Sequence, residues 1–369
     1  MSRSFLKMLE HGFKRVFFAL VSFFLKKGRE EFAIIDPMMI KRVLFIRPEK
    51  LGDMVISLPV FHNLKRLYPH LELYTISSPR NIAVICEDER ICSNFLYTKK
   101  IFRDIATVRK IRRLGIDAVV DMVCDDSVTA LLLTQWSSAA AWRIGVGKNH
   151  HKRYYDFNYL YRTGDESHVV ENTLKLLTAF GIETDNLEGH IPPTIRPEHK
   201  DLAARFVASL NGTMLAEVIG VNISAGRPTR VWPDEKNEEL IGRLLDRFKS
   251  CRIVISSDPR ERERAVALAG RFQSRVDPLP EGLNLLEVSA VISRMNILIT
   301  PDTSLVHIAR AFMVPVVGLY TRFGQNFMLW KPYNQDGGAV ISGNDYNIFD
   351  IEVDEVFEAA VALMPAEKP

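Results

Sequence analysis

Residues 297–320 read ILITPDTSLVHIARAFMVPVVGLY, and the stretch divides into strand, tight loop, helix, loop and strand. The apolar run 297–299 has the character of a buried strand, which Pro301 stops. Asp302, Thr303 and Ser304 then supply side-chain oxygens that can accept the unpaired N–H groups of a helix's first turn. Leu305, Ile308, Ala309 and Phe312 recur at helical spacing and give that helix a buried face. Pro315 stops the helix, and 316–320 reads as the next strand. A helix N-terminus at the carboxyl edge of a sheet favours anions, because its free N–H groups and its dipole both attract negative charge. Asp302, Thr303, Ser304 and His307 sit at that mouth. Taken alone, the same residues also describe an ordinary capped helix with a surface histidine, so the rest of the chain has to decide.

The chain has 369 residues, enough for two domains, and its apolar and charged fractions are those of a soluble globular protein. Cys86, Cys92, Cys124 and Cys251 form no C-x-x-C pair and have no histidine at metal-ligand spacing; they read as reduced, buried thiols of a cytosolic protein. The net charge of +3 is unevenly placed. Residues 1–29 carry seven Lys/Arg against one acid, a net of +6, whereas the remainder carries 41 basic and 44 acidic residues. A globular part with that balance is not a nucleic-acid binder.

The basic excess belongs to SRSFLKMLEHGFKRVFFALVSFFLKKGRE, whose phenylalanines and leucines fall largely opposite its charged residues on a helix. Its apolar run, 16–25, is ten residues, whereas a span needs about 20. Lys26-Lys27-Gly28-Arg29 follows it instead of a cleavage pattern. The expectation is an amphipathic helix over 1–29 on an anionic membrane surface, with docking on a protein as the alternative, then a linker over 30–40. From 41 onward strand and helix patterns alternate: strands at 42–46, 71–76, 94–98, 117–122 and 142–146, and helices at 52–67, 79–87, 103–114, 127–140 and 168–180. Such alternation implies parallel strands with crossover helices, an α/β fold. The proline-rich 184–197 reads as an interdomain linker between domains at 41–183 and 198–350. The second half repeats the alternation: strands at 218–223 and 252–256, helices at 198–210, 234–248, 260–272 and 284–294, then the opening stretch. A final helix lies within 351–369.

Three further loops carry chemistry. After the first strand comes RPEKLGD, in which Gly52 permits close backbone approach. Asp53 places a carboxylate where open α/β sheets bind ligands, able to cap its helix or to take a proton from a hydroxyl. In NISAGRPTRVWP, Ser224, Ala225 and Gly226 follow a strand directly, and Arg227 and Arg230 are available to clamp phosphate, with Arg227 equally readable as solvated. Trp232 reads as packing. Asp258 ends another strand and can accept from a ribose diol or cap the following helix. No G-x-G-x-x-G or P-loop pattern occurs.

The segments RVLFIRPEKLGDMVISLP, SAGRPTRVWP and PDTSLVHIARAFMVPVVGLY together resemble glycosyltransferase family 9, the lipopolysaccharide heptosyltransferases, over about residues 41–364. The resemblance implies a GT-B fold, two Rossmann-like domains facing across a cleft, with the last helix crossing back toward the first domain. It implies that Asp53 is the catalytic base and that Arg230 stands where many members have a phosphate-binding lysine. Asp258 falls near an acidic ribose contact, and Asp302, Thr303 and His307 match a donor-phosphate motif; Ser304 replaces the usual glycine. The expected activity is metal-independent, cofactor-free and inverting: transfer of a sugar, heptose from ADP-heptose, to a lipid-linked saccharide at the cytoplasmic face of the inner membrane. The rivals are a GT-B transferase using another nucleotide sugar in capsule or O-antigen synthesis, a nucleotide-sugar epimerase or hydrolase, and a catalytically idle membrane-bound nucleotide-sugar-binding protein.

Overall fold

The computed structural model describes residues 22–23, 25–29, 34–138, 141–160, 167–211, 217–323 and 326–364. It contains two parallel six-stranded sheets. The first is formed by β1 (Arg42–Ile46), β2 (Glu72–Ser77), β3 (Ile91–Leu96), β4 (Ala118–Asp121), β5 (Trp142–Val146) and β6 (Phe157–Tyr159), in the order β3-β2-β1-β4-β5-β6. The second comprises β7 (Val218–Asn222), β8 (Arg252–Ser256), β9 (Val276–Pro278), β10 (Ile297–Pro301), β11 (Val316–Tyr320) and β12 (Ala339–Ile341), in the order β12-β11-β10-β7-β8-β9. Both are the doubly wound order, so each sheet has one point where the chain reverses its direction of growth. Those points lie between β1 and β4 and between β7 and β10, and the loops leaving them are the natural ligand sites.

Twelve α-helices flank the sheets among the described residues. In the first half they are α1 (Leu51–Val55), α2 (Leu58–Leu67), α3 (Ile101–Arg113), α4 (Val128–Ser137) and α5 (Val169–Leu174). In the second they are α6 (Pro197–Asn211), α7 (Asp234–Arg247), α8 (Arg262–Ala269), α9 (Leu285–Ile292), α10 (Ser304–Ala311), α11 (Asn326–Trp330) and α12 (Val353–Leu363). Strand alternation sorts the apolar residues onto two faces. Val43 and Phe45 of β1 join Met54, Val55 and Phe61 in a cluster that continues into Leu298, Val306, Ile308 and Ala309 of the second half. Leu44 and Ile46 point the other way, into a separate cluster with Ile111 of α3 and Leu133 of α4. The two halves therefore share one apolar core where α1 packs on α10. Each fully buried Leu, Ile or Phe there contributes about 1.5–3 kcal/mol.

Several expectations need correction. The helix expected over 52–67 is two, because Pro59 is accepted only in a helix's first turn and therefore starts α2. The segment 79–87 holds only a 3-10 turn, Ile82–Val84. Pro301 ends β10 as its last residue rather than terminating the strand earlier. Strands β6, β9 and β12, each three residues long, and helix α11 were not anticipated; three residues are too few to carry a period. The amphipathic helix expected over 1–29 lies mostly outside the described residues, but it does not extend through 25–29. There Gly28 donates to Arg153 O at 2.8 Å, and Arg143 donates to Lys26 O and Lys27 O, pinning the chain to the first domain. A side chain at Gly28 would meet Tyr155 O at 2.0 Å, so only glycine passes here. Nor is 34–40 a loose linker: Ile35 and Ile40 are buried, and Ile35 N donates to Ala179 O. Helix α12 packs on α7, β10, β11 and β12 of the second domain, not back on the first, because Val353, Val356 and Ala360 complete that domain's outer core. Finally, Cys86, Cys92 and Cys124 are exposed and only Cys251 is buried. No described helix is long and apolar enough to cross a membrane.

Candidate functional site

The loop after β1 and the loops after β7 and β10 meet at the junction of α1 and α10. A Cβ built on Gly52 would lie 3.2 Å from His307 Cδ2 and 3.6 Å from Ser304 Cα. Gly52 thus lets the first turns of two helices from opposite domains abut, and Asp53, its neighbour, is carried to the rim of the donor-side loops.

Asp53 realises its capping role: Oδ2 accepts from Lys50 N at 3.0 Å. Oδ1 lies 3.5 Å from the Arg47 guanidinium, and the side chain remains 14% exposed. Arg47 itself is buried, with an ion pair to Glu49 at 2.9 Å, a bond from Nε to Asp53 O at 3.2 Å and a donation to Met122 O. Burial opposes the charge on Arg47, but Glu49 first, then Cys124 and Asp53, outweigh it and hold its pKa above the ordinary arginine value. Glu49, still a third exposed at its side chain, is pushed up to about 7. Displacement of water is the main cause; Asp53, Asp125 and Asp121 reinforce it, and Arg47 resists.

Behind this loop stands a buried network that sequence reasoning missed. Lys148, two residues beyond β5, pairs with Asp121 at the end of β4 at 2.9 Å, both side chains fully buried. Lys148 Nζ also donates to Val123 O (2.6 Å) and Asp125 O (2.8 Å), and Tyr155 Oη donates to Asp121 at 2.5 Å. Burial and the Asp121 charge raise the Tyr155 pKa, so it remains a hydrogen-bond donor. The signal was present as a charged residue at or just beyond the end of each apolar strand run, Asp121 after β4's valines and Lys148 two residues past β5.

On the second domain, Arg230 pairs with Asp302 at 2.5 Å. Burial raises the Asp302 carboxyl above its usual range, while Arg230 and, from the first domain, Lys50 pull it down. Thr303 is the N-cap of α10: its Oγ1 accepts from Leu305 N at 3.3 Å and lies 3.1 Å from Thr300 Oγ1. Asn222 ties the loop after β7 to the end of β10 by donating to both Ser224 O and Thr300 Oγ1. Ser224 Oγ accepts from Asp258 N at 2.8 Å, joining the loop after β8 to the same surface. Gly226 has open space where a side chain would stand, leaving its backbone approachable. The Asp258 carboxylate caps its own turn and is held by Arg260, which lowers its pKa. Arg227 is exposed, and Trp232 is buried with its indole donating to Ile351 O, as packing requires.

His307 is buried at the interface, 5.5 Å from the Trp330 ring between centroids, and burial lowers its pKa to about 4. Across the interface His168 accepts from Val170 N through Nδ1 and donates through Nε2 to Lys331 O, which defines a neutral ring. Burial is the chief cause, with His307 next, of its pKa near 3. Both folded values lie below the ordinary histidine value, so between them and that value the unfolded chain binds more protons. Stability should therefore fall as pH is lowered from about 7 toward 4, by on the order of 3 kcal/mol for His307 alone. Urea unfolding at about pH 7.5 and about pH 5 checks this; His307→Phe should make the dependence shallower while His168 retains its share, and a pH-independent midpoint in the native chain would contradict it.

Two facing α/β domains, with anion-seeking loops on one and a carboxylate on the other, define a GT-B-type glycosyltransferase. The family model of glycosyltransferase family 9 (heptosyltransferase) matches residues 105–357, and the chain belongs to that family. It is similar to lipopolysaccharide heptosyltransferase 3 of Escherichia coli, 21% identical over 80% or so of both chains (77% of this one, 84% of the relative). The fold is that of the family 9 glycosyltransferase from Veillonella parvula (TM-score 0.73, 19% identity, 90% of this chain and 98% of that one). It is equally that of E. coli heptosyltransferase WaaC solved with ADP-2-deoxy-2-fluoro heptose (TM-score 0.67, 19% identity, 87% and 99%). Asp53, Arg230, Asp302, Thr303, Ser304 and His307 come together at one interdomain edge; Ser224 and Gly226 flank it, and Asp258 sits one loop further out.

Proposed function

We propose that this glycosyltransferase moves heptose from ADP-heptose to a lipid-linked saccharide such as the lipopolysaccharide core, with inversion at the anomeric carbon. The observation that supports the mechanism is the abutment of α1, the helix that contains Asp53, on α10, whose N-terminus suits a diphosphate. Asp53 takes the proton of the acceptor hydroxyl as its oxygen attacks the anomeric carbon, and the nucleoside diphosphate departs on the opposite face. Arg230 and the N-terminus of α10 at Thr303 and Ser304 stabilise the negative charge growing on the departing phosphate. His307 is neutral and packs the helix turn that presents those groups. The choice of donor and acceptor is supported by the relatives' own activities, and the basic, phenylalanine-rich segment ahead of the pinned residues 25–29 would hold the enzyme at a membrane.

A second reading, transfer from a different nucleotide sugar in capsule or O-antigen synthesis, is favoured by Ser304. It stands where the family pattern has glycine, and its Cβ lies 3.7 Å from the position a Gly52 side chain would take. Calorimetry with ADP, UDP and GDP separates the two. Binding of ADP at least about tenfold tighter than the others is expected, and the reverse order would replace heptose with the second reading. EDTA should leave transfer unchanged, whereas a strict Mg²⁺ requirement would contradict the role given to Arg230.

A further inference from the structure

The outer face of the first domain carries a groove of about 550 Å³ between α3 and α4 that the transfer reaction does not use. Its floor and walls are Ile105, Val108, Leu132, Leu133 and Trp136. The neighbouring apolar side chains stand in water rather than in the core: Ile101 is 69% exposed, Phe102 86% and Trp136 44%. Of the α3 residues only Ile111 is fully buried. An apolar patch of this kind on a helix that could have been polar marks an interaction surface.

Charge identifies the partner. Residues 99–113 carry seven cations, Lys99, Lys100, Arg103, Arg109, Lys110, Arg112 and Arg113, against the single acid Asp104. Asp104 is committed to the segment that leads into its helix, accepting from Thr98 N and Thr98 Oγ1. Among the described residues none of the seven cations forms an ion pair. Bulky apolar side chains standing out of a strongly basic helix match an anionic lipid interface, where the rings enter the acyl boundary and the cations meet headgroups. The surface also continues toward the N-terminal segment. Leu25 is buried in a cluster with Leu131, against which Leu132 of the groove lining packs, and Phe23 nearby in sequence is 87% exposed.

We propose that the α3–α4 face is a docking surface for an anionic phospholipid bilayer, with lipid acyl chains entering the groove beside Trp136. That such docking serves to bring the enzyme to its acceptor rests on the function proposed above; the bilayer contact does not. The test uses the full-length protein with phosphatidylglycerol-containing vesicles, some with brominated acyl chains, and with phosphatidylcholine vesicles as the neutral comparison. Bromolipid should quench the native protein on anionic vesicles, and Trp136→Phe should remove that response. Ile101→Ser/Phe102→Ser should weaken vesicle partitioning about tenfold or more while transfer to a delipidated, water-soluble acceptor is unchanged. Equal quenching in Trp136→Phe, or undiminished partitioning in the double variant, would overturn the proposal. If only Phe17→Ser/Phe18→Ser abolishes binding, the bilayer is met by the N-terminal segment alone and the α3–α4 surface is likewise refuted. Loss of transfer to the soluble acceptor in the native protein would instead strike the proposed function and leave the vesicle result standing.

Discussion

Asp53→Asn should lower kcat about 10³-fold while leaving nucleotide affinity and the fold unchanged. The substitution is nearly isosteric, and an amide oxygen can still accept the Lys50 N–H bond that Asp53 Oδ2 now receives. Arg47 keeps its ion pair to Glu49 and its bond to Met122 O, so the loop after β1 retains its anchors. The donor loops belong to the other domain and lose nothing. What the amide cannot do is take a proton from the acceptor hydroxyl, and general-base catalysis contributes roughly 10²–10⁴ in rate. Near-native turnover by a folded Asp53→Asn variant would remove Asp53 from the mechanism. Glu49, whose carboxyl is drawn up to about 7 close by, would then be the group to examine.

The second large effect concerns stability. Lys148→Met should destabilise the chain by about 3–5 kcal/mol, because removing one partner of a buried ion pair leaves the other charge uncompensated. Asp121 would keep only the Tyr155 hydroxyl and the Val123 N–H, and the carbonyls of Val123 and Asp125 would lose their ammonium. A methionine fills much of the volume, so lost packing is a minor part of the change. Lys148→Met/Asp121→Asn should recover a substantial share, since the stranded charge is gone. Urea unfolding of the three variants measures the coupling, and a loss below about 1 kcal/mol in Lys148→Met would contradict this account. Activity should fall as well: Met122, which receives a hydrogen bond from Arg47, lies in the same turn as Val123.

The parts of this molecule that could be read from sequence are those in which one residue type has one physical use. The runs 42–46, 142–146 and 316–320 are apolar strands bounded by breakers, and β1, β5 and β11 have those bounds. Asp302-Thr303 announced a helix start, and Thr303 caps α10. Interactions between domains were not readable. Gly52 suggested a ligand approaching the backbone, but its nearest neighbours are His307 and Ser304 of the facing helix. His307 looked like a surface histidine on its own helix, yet it is buried because α1 and the Trp330 ring cover it. The Lys148–Asp121 pair is 27 residues apart in sequence and joined only by the neighbouring positions of β4 and β5 in the sheet. Lys26, Lys27 and Arg29 belong with the amphipathic segment on composition, whereas the hydrogen bonds that hold them are made with Arg143 and Asp156, more than a hundred residues away.

The most direct measurement is single-turnover transfer from ADP-heptose to a heptose-deficient lipid-linked core saccharide, with the anomeric configuration of the product read by NMR, for the native protein and for Asp53→Asn. Inverted product from the native protein and about 10³-fold slower formation by the variant are expected. Retained configuration, or equal rates from the two proteins, would contradict a base at Asp53 acting across the α1–α10 junction.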